Sequence, residues 1–226
     1  MLPKLGSARY ATGMASWLEE CTARLDAVTA ELTKWNAAVD AEFGRRFDFN
    51  ATPAHQFEAT IVAAGQAARQ HAGPGPRDDA YLIMDELCEH YLSAPDTAPD
   101  AERAAIRHAV AARHPIVQLT TWYIGRNLDR LVKTREARWL EFAVAAASIA
   151  ECAPDYRDIY LSLGELYVSA VDLGIDPSPV FARVATLSNA EPGSLFGGGS
   201  VRDYFAGFEQ SAFFASSVRP RLSSPL

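Results

Sequence analysis

The chain has 226 residues, 49% of them apolar, and a formal net charge of −7. That apolar fraction is too high for a disordered chain and is enough for one core or two smaller ones. No apolar run reaches the roughly 18–20 residues that a helix needs to cross a bilayer. The acidic balance argues against a surface built to neutralise phosphates, so nucleic acid is not an expected partner. The three cysteines, Cys21, Cys88 and Cys152, are far apart and odd in number, which suits neither a disulfide framework nor a metal knuckle. The opening Met-Leu-Pro-Lys-Leu-Gly lacks the apolar stretch of a secretory signal. These features together lead to the expectation of a cytoplasmic protein without a membrane partner. Residues 1–76 carry −1, residues 77–150 carry −2 and residues 151–226 carry −4.

Alanine is abundant and β-branched residues are comparatively scarce, which predicts an all-α fold. In the first third, Leu18, Cys21, Leu25, Val28, Leu32, Trp35 and Val39 alternate in steps of three and four. That heptad seam predicts a long helix, with Ser16 as its cap and Glu19 as the reciprocal partner. The seam has two readings. It can pair two protomers into a homodimer, or it can lay the helix against its own chain, where a tryptophan fits an irregular groove better than a coiled coil. A second helix is expected over 54–70 after Thr52-Pro53, with Phe57, Ile61, Val62 and Ala68 inward. Asn50-Ala51-Thr52 matches a glycosylation sequon, but without a secretory signal it carries no weight. Gly73-Pro74-Gly75-Pro76 reads as a linker closing a first region, 1–76.

The middle region, 77–190, is organised by a period. Met84-Asp85 lies 40 residues before Ile124-Gly125, which lies 39 residues before Leu163-Gly164. Tyr81 and Tyr160 each stand three residues before their anchor. Helix pairs are expected at 78–93 with 99–112, 116–133 with 135–150, and 155–173 with 177–188. Asp78, Pro115 and Asp155 mark starts, and Gly174 marks a left-handed stop before Asp176-Pro177. A period near 40 with two helices per unit is the signature of an α-solenoid. Glycine inside a helix costs about 1 kcal/mol against alanine, so Gly125 and Gly164 at one repeat position predict close helix–helix approach.

On these residues the region resembles the HEAT-like helical-repeat family. Pro115-Ile116-Val117-Gln118, Thr120-Thr121 and Ile124-Gly125 follow the order of its first helix, and Arg157 stands six residues before Leu163-Gly164. Gln118 replaces the family's usual arginine, and Asp85 stands where glycine is expected. The resemblance implies stacked helical hairpins and a binding surface for another protein, and it implies no reaction.

No nucleophile elbow, metalloprotease helix, phosphate loop or paired Glu-x-x-His is present, so no catalytic residue, metal or cofactor is expected. Asp85, Glu86, Glu89 and His90 read as a solvated acidic face rather than a cation site. Arg126, Arg130, Lys133, Arg135 and Arg138 fall within thirteen residues, the first three on one helical face. That row can receive an acidic partner, or the acidic last third of the chain itself. Arg103, Arg107, Arg138, Glu141 and Arg183 are placed on a contact surface lined by the second helices of the pairs. Cys21 and Cys152 fall on apolar stripes and read as small hydrophobes. A rival reading puts Trp122, Tyr123, Trp139, Tyr160 and Tyr167 around an inter-helix pocket for a small molecule.

Region 191–226 holds a Gly-rich spacer, Gly197-Gly198-Gly199-Ser200, then a helix-spaced aromatic stripe. Phe205 and Phe208 on that stripe either cap the end of the stack or dock into a partner. The expectation is thus an all-α stack of HEAT-like hairpins with a long N-terminal helix and a C-terminal capping helix, acting as a protein-binding scaffold.

Overall fold

The computed structural model describes residues 5–93, 99–113, 116–151, 153 and 159–190. Among the described residues every regular element is a helix. In chain order these are α1 (Leu5–Arg46), a 3-10 turn (Ala54–Gln56), α2 (Phe57–Ala72), α3 (Arg77–Ser93), α4 (Pro99–Ala111), α5 (Ile116–Thr134), α6 (Arg138–Ala150), α7 (Ile159–Asp172) and α8 (Ser178–Ala190). The chain divides into two compact units, Met1–Ile83 and Met84–Leu226, so the division falls inside α3 rather than at Gly73–Pro76. The capping helix expected around Phe205 and Phe208, the start at Asp155, and Cys152 lie outside the described residues.

In the first unit α1 begins well before Ser16, which is an exposed residue inside the helix and caps nothing. The seam has its expected period: Cys21, Leu25, Val28 and Leu32 are buried, while Leu18, Trp35 and Val39 are half-buried. Thr29 beside the seam is buried too, with its hydroxyl donating to the Asp26 carbonyl at 3.1 Å, so no polar atom is stranded there. After α1 the chain turns on Asp48, whose carboxylate accepts the Asn50 N–H at 2.8 Å and the Ala51 N–H at 3.3 Å. Phe47 and Phe49 then both meet the Phe57 ring edge-on, at 5.4 and 5.1 Å between centroids. Helix α2 packs on α1 through Ala64 and Ala68. Val62, expected inward, is 50% exposed, because it stands about 100° around the helix from Ile61.

In the second unit α5 packs on both α6 and α7, and α6 packs on α4 and α8; α7 and α8 also meet each other. One apolar cluster fills the space between α5, α6, α7 and α8. It takes Ile124, Leu128 and Leu131 from α5, Leu140, Ala143 and Ala147 from α6, Leu163, Leu166 and Ala170 from α7, and Val180 and Val184 from α8. Each helix contributes at steps of three and four, the spacing that holds one face to one core. Helix α6 goes further. From Ala145 to Ala150 every side chain is buried, and five of those six residues are alanine or isoleucine. Ser148 among them donates its hydroxyl to the Val144 carbonyl at 2.9 Å.

Among the described residues three helices end at a residue of positive φ, α2 doing so at Gly73 (φ 77°). Gly174 (φ 70°) closes α7 with Ile175 N–H reaching back to the Ala170 carbonyl at 2.8 Å, as its sequence position predicts. Arg135 (φ 61°) closes α5 through its own N–H on the Leu131 carbonyl at 2.9 Å, without the glycine that usually takes this role. Gly125 does not serve close approach: a Cβ there would meet nothing within 4 Å. The helix therefore carries the glycine's conformational cost with no packing return. We expect Gly125→Ala to raise unfolding stability by roughly 1 kcal/mol, seen in thermal melts as a rise of about 2–4 °C.

Candidate functional site

Among the described residues of the second unit, a dense polar cluster joins α3 to α5. Tyr123 is fully buried, and its hydroxyl donates to Asp85 Oδ1 at 2.6 Å. Arg130 grips the same carboxylate with both terminal nitrogens, Nη1 to Oδ1 at 2.9 Å and Nη2 to Oδ2 at 3.0 Å. This bidentate fork is the strong form of the ion pair. Arg130 Nη1 also donates to Asn127 Oδ1 at 3.2 Å, and Asn127 Nδ2 donates to the Tyr123 carbonyl at 3.0 Å. Helical spacing explains the assembly: Tyr123, Asn127 and Arg130 are i, i+4 and i+7 on one face of α5, which faces Asp85 on α3. Asp85 is therefore no part of a solvated acidic face.

Electrostatics follow the geometry. Partial burial pushes the Asp85 carboxyl up, but hydrogen bonds from Arg130 and Tyr123, with the charges of Arg130 and Arg126, leave it below its ordinary value. Its hydrogen bond to Asp85 raises the Arg130 guanidinium further. Burial raises the Cys88 thiol strongly, and it raises the Tyr123 phenol as well, with Cys88 and Asp85 adding to the effect. Asp85 stays charged and Cys88 and Tyr123 stay neutral across the physiological range. None of them is poised to exchange a proton near neutrality.

The same arginine reaches the surface. Its guanidinium lies 4.5 Å from the Trp139 ring centroid, and that of Arg138 lies 4.1 Å from it. Trp139 Nε1 donates to Thr134 Oγ1 at 2.9 Å, which fixes the indole. Arg138 pairs with Glu136 at 2.8 Å with both side chains largely in solvent, a contact of little energetic weight. Of the basic row, Arg130 turns to Asp85 and Arg126 lends its charge to the same carboxylate, whereas Lys133, Arg135 and Arg138 are exposed.

The other expected contact residues are drawn largely into helix–helix clamps. Glu151, at the end of α6, takes Arg107 of α4 at 3.6 Å and Arg183 of α8 at 3.0 Å. The N–H bonds of Arg183 Nη2 do not point at that oxygen, so the attraction is Coulombic without a directed hydrogen bond. Arg103 donates to the Tyr91 carbonyl at 3.1 Å and lies 5.5 Å from its ring centroid. Glu141 is exposed on the first turn of α6. Phe205 and Phe208 lie outside the described residues. Of the aromatics read as a pocket, Tyr123 is core, Trp139 lies under two guanidiniums, and Tyr167 meets Phe181 at 6.5 Å. The side chain of Tyr160 lies outside the described residues. Among the described residues no group of three His, Cys, Asp or Glu side chains is placed to hold a metal ion, and no helix is long and apolar enough to cross a membrane.

The first unit holds two features that the sequence pattern hid. Glu42 continues the seam three residues past Val39 and is buried, bound by Arg45, by Arg46 at 2.6 Å and by His71 at 3.8 Å. Burial pushes its carboxyl up, and the Arg46 hydrogen bond with the charges of Arg45, His71 and Arg46 brings it below its ordinary value. The second feature is an open cleft of about 480 Å³ beside Trp35, lined from α2, the Gly73–Gly75 turn and the start of α3. No family model, curated protein or solved structure matches the chain.

Asp85→Asn tests the α3–α5 clamp. It removes a charged hydrogen-bond acceptor and is expected to cost about 2 kcal/mol at pH 7. A carboxyl lowered in the fold stabilises above its unfolded value, about 3.9, and loses that contribution as pH falls through the folded value. Urea unfolding from pH 7 downward is expected to show the wild type converging on the variant at acid pH. Parallel curves would show that Asp85 is not the titrating group.

Proposed function

We propose that the chain is a non-catalytic, HEAT-like helical-repeat scaffold that holds another protein. The observation that carries the reading is the order of helix contacts in the second unit. The second helices α4, α6 and α8 pack on one another in sequence, the first helices α5 and α7 do the same, and the α5–α6 and α7–α8 hairpins join the two rows. The Asp85 fork supplies the link from α3 to α5. This is the arrangement expected of units that repeat every 39–40 residues, each covering its neighbour's apolar face.

The charged groups support recognition rather than reaction. Asp85, Glu151, Arg107, Arg130 and Arg183 tie helices together, and the titratable groups of the clamp are held away from neutrality. Among the described residues the α5–α6 corner stays open to a partner, with Lys133, Arg135, Glu136, Arg138 and Glu141 exposed around the Trp139 stack. Such a corner suits a partner surface rich in carboxylates. The heptad seam is the weaker candidate for pairing two copies, because Cys21, Leu25, Val28 and Leu32 are already buried in one chain.

Lys133→Glu/Arg135→Glu reverses charge at exposed positions and is expected to keep the fold. Chemical cross-linking in native extract, read by mass spectrometry, should yield a protein joined to the α5–α6 corner in the wild type. Its recovery is expected to fall about tenfold or more in the double variant, as for reversal of a complementary charge. A cross-linked set unchanged by the reversal, or no cross-link at that corner, would overturn the assignment.

A further inference from the structure

The geometry points to a second binding site, in the first unit: the cleft beside Trp35 takes a small organic anion that carries a phosphate or carboxylate and a flat ring. The cleft lies far in sequence from the α5–α6 corner and stands independently of the scaffold reading. Its wall is built rather than incidental. Trp35 Nε1 donates to the Gly73 carbonyl at 2.9 Å, which fixes the indole against the turn. Gly75 lies so close to the ring that a Cβ there would come within 3.3 Å of Cδ2 and Cε2. The Gly-Pro-Gly-Pro run is thus a packed rim on an aromatic floor and not a linker. Gly73 is favoured there by a left-handed backbone (φ 77°), and a side chain at Gly75 would crowd the indole.

Charge then selects the ligand. Arg69, in the last turn of α2, and Arg77, the first residue of α3, both line the cleft, so two guanidinium-bearing side chains stand at its wall. Gln66 and Gln70 add amide donors, and Asp78 is the one carboxylate in the lining. Arg77 also lies 6.0 Å over the Trp35 ring centroid, so its charge and the indole face share the cleft. A lining with two fixed positive charges against one negative favours an anion, and guanidinium forks match the oxygens of phosphate and carboxylate alike. The half-exposed indole favours a ring beside that anion. A volume of about 480 Å³ suits a molecule of nucleotide size or smaller.

The test is a nitrogen–proton NMR titration of the full chain with adenosine 5′-monophosphate, benzoate and inorganic phosphate in parallel. The Trp35 indole N–H and the Arg69 and Arg77 side-chain N–H signals are expected to shift saturably with adenosine 5′-monophosphate or benzoate, and less with inorganic phosphate, which has no ring. Which of the two binds more tightly distinguishes a phosphate ligand from a carboxylate ligand. Arg69→Ala/Arg77→Ala changes exposed side chains and should leave the rest of the spectrum in place while weakening binding by about tenfold or more. Lys133→Glu, in the other unit, should bind as the wild type does. No saturable shift with any of the three probes, or equal binding by wild type and the arginine double variant, would overturn the proposal.

Discussion

A helix can be enclosed by several others only if its own side chains leave them room. In the second unit α6 packs against α4, α5, α7 and α8. The stretch that makes this feasible is Ala145-Ala146-Ala147-Ser148-Ile149-Ala150, buried on every side. Interiors are close-packed, and helix axes approach more nearly where the contact residues are small. A leucine at one of these alanines would have to displace a neighbouring helix, since overpacking in a dense core costs about 1–3 kcal/mol. Large side chains come instead from the surrounding helices: Leu128 and Leu131 from α5, Leu163 and Leu166 from α7. The alanine-rich composition thus sets where α6 lies as well as that it is helical.

Much of this was legible in the sequence, because periodicity reports on burial. The seam is buried from Cys21 to Leu32 and half-buried at Leu18, Trp35 and Val39, and the helix pairs of the middle region fall within a few residues of their predicted bounds. Gly174 ends α7 as its position before Asp176-Pro177 suggests. What failed has physical reasons. Glycine inside a helix is ambiguous between close approach and plain cost, and Gly125 proves to face open space. A Gly-Pro run signals a turn, but whether a distant tryptophan packs on it depends on tertiary contact between residues 38 apart.

Charged residues were hardest to place, since spacing gives a helical face and not its neighbour. Arg126, Arg130 and Lys133 do share one side of α5, yet Arg130 turns to Asp85 forty-five residues away in the chain. Asp85 was the one visible hint. It stands 40 residues before Gly125, where the resemblance to HEAT-like repeats led to the expectation of glycine, and a carboxylate there needs a reason that local sequence does not supply. The buried Tyr123 hydroxyl supplies half of it, because an unpaired phenol in a core is costly. The Arg130 fork supplies the rest.

The protonation states set by these contacts bear on what kind of work the molecule can do. A general acid or base is most effective when its pKa lies near the working pH, and enzymes use burial and neighbouring charge to bring it there. Here the same forces act in the opposite sense. Cys88 and Tyr123 are driven upward by burial, while Asp85 is held down by the arginine and tyrosine that bind it. Each group is fixed in one protonation state and in one position. A cluster locked in this way has little capacity to move protons but considerable capacity to set helix register, because α3 and α5 can slide past each other only by parting a bidentate ion pair and stranding a buried hydroxyl. On the scaffold reading proposed above, such rigidity would lower the ordering cost of binding at the α5–α6 corner, because fewer groups would have to be immobilised when a partner docks.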